Sequence, residues 1–282
     1  MKENLYVVVK GNVPQEKVRA IVAEISKCYE KLGVEPEFCE VLIFRSRYDV
    51  DRFIEEENEL VYSRLSVRIS GIAPNSSATH FAWRGWPTIA ICVSDMESKP
   101  WDVALAELRR AAVHSILHGS PKYYFIPLPR KLFDLRSRGV IRPDILDVTF
   151  YIFTTAIKSF EVTRFLVSRG FIECQKKLYW YHLRVKPEEK RVWEKAVNEI
   201  NVLAPLLMDV FKVLSGVTPL IEATKDAVLI ALYEENLNLI PEHVKNHFQK
   251  MLNKLRELGE DTLENIFNMA DELYELLIYL LP

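Results

Sequence analysis

The sequence predicts an α+β protein, in which a mixed domain of strands and helices is followed by an all-helical bundle. In the first half of the 282 residues, short β-rich runs alternate with amphipathic segments of helical spacing. From residue 188 onward, nearly every segment has its apolar residues at helical spacing. The composition, 49% hydrophobic and 27% charged, is that of a globular protein with a sizeable core. We therefore predict two domains, residues 1–187 and residues 188–282.

Local patterns predict the individual elements of the chain. Strands are expected over residues 5–10, 39–44, 65–69 and 88–93. Helices are expected over residues 14–32, 48–60, 101–118 and 143–168, with a turn-rich loop at 71–77. In the bundle, we expect a kink at Pro205 and helix starts at Thr218–Pro219, after Pro241 and near Asp261.

Several protein classes are disfavoured by composition. No run approaches the roughly 18–20 uninterrupted apolar residues of a membrane-spanning helix, so no membrane association is expected. The N-terminus lacks the apolar segment of a secretory signal, which predicts a cytoplasmic protein. The four cysteines lie far apart without C-x-x-C spacing, which argues against a disulfide framework. Glutamine is scarce beside abundant Glu, Lys and Arg, which is typical of a thermophile.

The most informative segment is the helix predicted over residues 101–118. His114 and His118 are four residues apart and therefore share one face of this helix, so that both imidazoles can reach one metal ion. A β-rich run precedes the helix, and Gly119 ends it directly after the second histidine. This order resembles the zinc metallopeptidases called zincins, whose motif is H-E-x-x-H.

The resemblance covers residues 88–169, and its motif is degenerate. In one alignment of the motif, His114 and His118 take the two His positions, and Ser115 stands in place of the Glu. In the other alignment, Arg110 and Ala111 stand for the first His and the Glu. Neither alignment supplies the carboxylate that takes a proton from the zinc-bound water. The resemblance therefore implies a zincin-like fold, as in a pseudoenzyme, more than it implies peptidase activity.

Acidic residues elsewhere in the chain are candidates for this site. Glu107 precedes His114 by seven residues, roughly 10 Å along a helix axis, which is too far to activate a metal-bound water. In the gluzincin branch, a Glu from a later helix is the third zinc ligand, and the resemblance implies Glu161 for that role. An ion pair between Glu161 and Arg164 is the ordinary alternative. Asp144 and Asp147 are the other candidates for the ligand.

A basic segment supports a second interpretation. Residues 164–195 carry nine basic and four acidic side chains, whereas residues 219–282 carry five and twelve. Residues 171–174 and 178–183 could pair as a two-stranded wing, similar to winged-helix nucleic-acid binders. The residues that would then contact phosphates are Arg164, Arg169, Lys176, Lys177 and Arg184. The alternative is a basic edge whose aliphatic stems cover core aromatic residues.

The leading functional expectation is a degenerate metallopeptidase-like protein. It would bind zinc through His114, His118 and Glu161, lack peptidase activity, and recognise a peptide or protein partner. His114 and His118 could either bind a metal ion or be held in the protein interior by hydrogen bonds alone. A nucleic-acid-binding or scaffold protein is the alternative function, and a homodimer formed through the last helix is a further expectation. A second pair, His243 and His247, is expected on a solvated face.

Overall fold

The computed structural model describes residues 4–65, 76–139, 141–196 and 199–281 of the chain. The described residues form two compact units, Met1–Phe125 and Ile126–Pro282. The first unit holds a small mixed sheet with helices, and the second unit is helical. The prediction of an α+β protein is confirmed at this level.

The sheet of the first unit has four strands. They are β1 (Leu5–Lys10), β2 (Cys39–Phe44), β3 (Ala78–Phe81) and β4 (Thr88–Cys92). Their order is β1-β2-β4-β3, with β1, β2 and β4 parallel and β3 antiparallel to β4. Every residue of β2 and β4 is buried. This explains why both strands are apolar runs in the sequence apart from Glu40 and Thr88, as expected for strands covered on both faces.

Four helices surround this sheet. They are α1 (Gln15–Leu32), α2 (Arg47–Leu65), α3 (Val93–Glu97) and α4 (Trp101–Leu117), and a short 3₁₀ turn follows at Pro121–Tyr123. Helix α1 buries the stripe formed by Val18, Ile21, Val22 and Ile25, and it packs against α4. Helix α4 packs in turn against β3, which places its last turn beside that strand.

In the described residues, the second unit consists of eight α-helices and a short 3₁₀ turn at Leu255–Glu257. The helices are α5 (Arg130–Ser137), α6 (Pro143–Ser168), α7 (Ile172–His182), α8 (Pro187–Ala196), α9 (Ile200–Thr224), α10 (Ala227–Leu237), α11 (Glu242–Lys254) and α12 (Thr262–Tyr279). The long helices α6 and α9 make the most extensive contact, and α11 and α12 pack together. One apolar core joins these helices, with Phe153, Phe211 and Phe248 in ring contact at its centre.

The boundary between the units differs from the sequence prediction. The sequence placed it after residue 187, whereas the compact units divide after Phe125. The reason is that α6, which was assigned to the first domain, buries its apolar face along α9 in the helical unit. The short elements β3 and α5 were not predicted. The strand expected at 65–69 lies, apart from Leu65, outside the described residues, as does most of the loop at 71–77.

Two predictions in the second unit are wrong. Residues 172–182 form helix α7 and not a two-stranded wing, because Gln175, Leu178 and Tyr179 are buried at helical spacing. A helix start at Pro219 is also wrong, since α9 continues through that residue to Thr224. Lys225, with a left-handed φ of 52°, ends α9.

One helix among the described residues is long and apolar enough to cross a membrane. This helix is α9, and 56% of its most apolar 18-residue window is buried within the protein. This burial agrees with the packing of α9 against α6.

Candidate metal centre

Helix α4 positions the two histidines that the sequence singles out. His114 lies in its last turn, and His118 follows its end, where the backbone N–H of His118 donates to the carbonyl of His114 at 2.8 Å. The His118 side chain is fully buried and that of His114 is half-buried. The spacing of four residues therefore brings both rings to one side of the helix end, as predicted.

The two imidazoles face each other through their Nδ1 atoms. These atoms are 2.9 Å apart, and the ring centroids are 5.1 Å apart. At a zinc–nitrogen distance of about 2.0–2.1 Å, this separation subtends an angle of about 90° at the metal. A tetrahedral angle of about 109° needs nitrogen atoms about 3.3 Å apart, which is about 0.4 Å more than the observed distance. The two nitrogen atoms are therefore nearly as close as two ligands of one metal ion, and rotation of the rings would be needed to aim both lone pairs at it. Without metal, one Nδ1 donates a hydrogen bond to the other.

A third histidine, from the sheet, lies beside this pair. The ring of His80 on β3 is parallel to that of His114 within 5°, with the ring centroids 6.2 Å apart. His80 Nδ1 is 2.6 Å from the hydroxyl of Tyr124, and the ring of Tyr123 meets His118 edge-on. Sequence reasoning missed His80 because it is 34 residues from His114 and its four-residue strand has no distinctive pattern.

Ser115, which stands at the glutamate position in one alignment, is engaged in the interior of the first unit. Its hydroxyl is 2.6 Å from the Tyr29 hydroxyl and donates to the carbonyl of Ala112 at 2.6 Å. Burial raises the pKa of Tyr29 far above its usual range, and burial also raises the pKa of the nearby Cys39 thiol to about 11. Both groups therefore stay protonated near neutral pH, and neither can act as a general base there.

Glu107, the other acid on α4, is held in a buried ion pair. Its carboxylate lies 2.8 Å from Lys99 Nζ and accepts the backbone N–H of Ser77 at 2.8 Å. The Ser77 hydroxyl donates to the same carboxylate. This set of partners gives Glu107 a structural role, because a buried carboxylate needs compensating donors.

Glu161, the predicted third zinc ligand, lies on α6 in the helical unit. Its two carboxylate oxygens accept hydrogen bonds from the Thr262 hydroxyl at 2.8 Å and from the Asn265 amide at 2.7 Å. Lys158 is buried one turn away, and burial lowers its pKa to about 8 although the Glu161 charge opposes that effect. These partners account for a buried glutamate in an apolar helix.

Arg164, expected as an ion-pair partner of Glu161, donates to the backbone. Its guanidinium contacts the carbonyls of Leu258 and Gly259 at 2.7 and 2.6 Å. Among the described residues, no three His, Cys, Asp or Glu side chains are grouped so that they could hold a metal ion as placed. The assignment of Glu161 as a metal ligand stays a prediction.

The basic residues proposed for nucleic-acid contact are dispersed in the second unit. They lie at the end of α6, on α7 and just after α7. They are Arg164, Arg169, Lys176, Lys177 and Arg184. Lys176 pairs with Asp226 at 2.7 Å, and the guanidinium of Arg169 lies 5.3 Å from the ring centroid of Phe165. Arg184 is exposed. Because α7 replaces the wing, these side chains lack the arrangement on which the nucleic-acid interpretation was based.

An open pocket of about 650 Å³ adjoins the end of α4. Phe38, Trp86 and Tyr123 line it together with Ser115 and Leu117. Phe38 and Trp86 are in edge contact and are 43% and 38% exposed. Aromatic side chains at the surface beside a pocket are typical of sites that bind small molecules or peptides.

The sequence and the structure were compared with known proteins. No protein-family model matches the chain, and no curated protein or solved structure gives a significant match.

Proposed function

We propose that this chain is a zincin-like, degenerate metallopeptidase-like protein that binds zinc at the end of α4 and does not hydrolyse peptides. The observation that carries the proposal is the 2.9 Å separation of the Nδ1 atoms of His114 and His118. Two imidazoles this close together can bind one divalent transition metal ion once both lone pairs are turned toward it.

The expectation that the chain does not hydrolyse peptides is supported by the groups that could serve as a base. Ser115 donates to a backbone carbonyl, and Glu107 is neutralised by Lys99. A peptidase needs a carboxylate that accepts a proton from the metal-bound water and delivers it to the leaving amine. Neither residue can do this without breaking its buried contacts, so the metal would serve binding or regulation.

Bound zinc would supply a Lewis acid at the end of α4. His114 and His118 would hold it, and Glu161 is the third ligand that the family resemblance implies. To coordinate a metal, Glu161 must give up hydrogen bonds from Thr262 and Asn265. The adjoining pocket, with Trp86 and Tyr123 in its wall, offers a surface for the peptide or protein partner. A cytoplasmic location is part of the proposal.

The metal content of the full chain, purified without an affinity tag, tests the proposal. We expect about one zinc ion per chain, lost in His114→Ala and in His118→Ala. The matched control is His243→Ala with His247→Ala, a second pair at the same spacing on α11. Zinc retained in the α4 variants, or none bound by the parent protein after incubation with excess zinc, would overturn the proposal.

A further inference from the structure

We infer that His80 is the third protein ligand of the metal ion at the end of α4, in the role that the family resemblance gives to Glu161. This inference rests on the proposed function, since it requires His114 and His118 to bind the metal. His80 belongs to the same compact unit as the pair and lies on the strand against which α4 packs. Three imidazoles with a water in the fourth position form an established zinc donor set.

The rings of the three histidines form a continuous row. The centroid of His114 is 6.2 Å from that of His80 and 5.1 Å from that of His118. His80 is 8% exposed and His118 is fully buried, so both are fixed by the surrounding packing. The middle ring, His114, is half-buried, and the proposed site requires this ring to turn. Among the described residues, no three side chains are placed so that they could hold a metal ion without movement. In the proposed site, rotation of the His114 ring provides that movement.

Tyr124 sets the protonation of His80 for metal binding. The Tyr124 hydroxyl lies 3.3 Å from the carbonyl oxygen of His80 and 2.6 Å from His80 Nδ1. In the proposed site it donates to the carbonyl and accepts a hydrogen bond from Nδ1. With the proton on Nδ1, the lone pair of the neutral ring is on Nε2. A metal-bound histidine commonly donates its other ring N–H to an oxygen in this way. Tyr124 is therefore a positioning residue for the proposed ligand.

Packing holds the Tyr124 ring beside His80. Trp83 meets Tyr124 edge-on with ring centroids 6.1 Å apart, and Phe81 stacks on Trp83 at 3.8 Å. Glu161, in contrast, is engaged through both carboxylate oxygens within the helical unit. His80 can use Nε2 while its bond to Tyr124 is kept, whereas Glu161 would have to exchange its donors for the metal.

The test is the Zn²⁺ affinity of the full chain, measured by competition with a chromophoric chelator. We expect His80→Asn to weaken binding by about a hundredfold or more and Tyr124→Phe by about tenfold. Glu161→Gln and the control His247→Asn should bind as the parent does. In ¹⁵N-histidine NMR spectra, Zn²⁺ should shift the His80 Nε2 resonance. If circular dichroism shows that His80→Asn does not fold, the shift of the His80 Nε2 resonance and the Zn²⁺ affinity of Tyr124→Phe decide whether His80 is a ligand.

The outcomes separate the two proposals. A parent protein that binds no Zn²⁺ overturns the proposed function. A parent that binds through His114 and His118, with His80→Asn unchanged in affinity and no shift at His80 Nε2, overturns only the assignment of His80. A loss of affinity in Glu161→Gln that is as large as the loss in His114→Ala also overturns it and supports the ligand implied by the resemblance.

Discussion

Lys99 Nζ lies 2.8 Å from both carboxylate oxygens of Glu107, and each side chain is only 5% exposed. Removing such a pair from water is costly, and the attraction between the charges offsets that cost only with good geometry and further hydrogen bonds. Here the backbone N–H of Ser77 at 2.8 Å supplies one such bond. The contact joins α4 to the chain just before β3 and stabilises the region that holds the histidines.

The substitution Glu107→Gln should destabilise the first unit. It leaves the Lys99 charge buried without its counter-charge, so we expect the free energy of unfolding to fall by about 3–5 kcal/mol. The measurement is urea denaturation of the full chain. The double variant Lys99→Met with Glu107→Leu is the control and should recover much of the loss. A loss below about 1 kcal/mol for Glu107→Gln would show that the pair is solvated.

Glu161→Leu should destabilise the helical unit independently of any metal. The change leaves the buried donors of Thr262 and Asn265 without their acceptor and removes the charge facing Lys158. We expect a loss of about 3 kcal/mol in unfolding free energy, measured in excess chelator. Glu161→Gln, which keeps an acceptor, should lose less. A destabilisation that occurs only when zinc is present would contradict this interpretation and identify Glu161 as a ligand.

Most elements with a long periodic pattern could be predicted from the sequence. Helices α1, α4 and α6 and strands β1, β2 and β4 lie where the apolar spacing places them. Helix α7 could not be predicted this way, because Tyr179, Trp180 and Tyr181 favour strands locally. The burial of Gln175 and Leu178 against other helices decides the structure instead. The compact units divide after Phe125, and the extensive contact of α6 with α9 could not be predicted from local patterns.

Only the local part of the candidate site could be predicted. Residues at a spacing of four share a helix face, so the approach of His114 and His118 follows from the sequence alone. His80 joins them through the packing of β3 on α4, and that contact has no local signal. For Glu161, the sequence indicates that a buried carboxylate needs partners, but it cannot name Thr262 and Asn265, about 100 residues away.

The start of α10 depends on one carboxylate. Asp226 accepts the backbone N–H groups of Val228 and Leu229 at 3.0 and 3.1 Å, and it pairs with Lys176 of α7. The hydrogen bond from Lys176 holds the pKa of Asp226 below its usual range. We expect Asp226→Ala to lower the free energy of unfolding by about 1–2 kcal/mol, in thermal or urea denaturation. Asp226→Asn keeps the cap and should retain most of the stability. Equal losses in the two variants would contradict a capping role.

Lys158 should make the stability of the helical unit rise with pH in the alkaline range. Burial lowers its pKa to about 8 in the folded chain, whereas lysine in an unfolded chain titrates near about 10.4. Between these values the unfolded chain binds a proton that the folded chain does not, so the unfolding free energy increases with pH. The rise from this residue should total about 3 kcal/mol.

The measurement is the unfolding free energy at pH 7, 8, 9 and 10 for the parent and for Lys158→Met. Below about pH 8 the parent carries the full cost of a buried charge, which Glu161 reduces and Lys212 increases. The difference between the two proteins should therefore change through this window and level off above about pH 10.5. Other groups titrate alike in both proteins and cancel in the difference. Parallel stability curves would mean that Lys158 is hydrated in the folded protein.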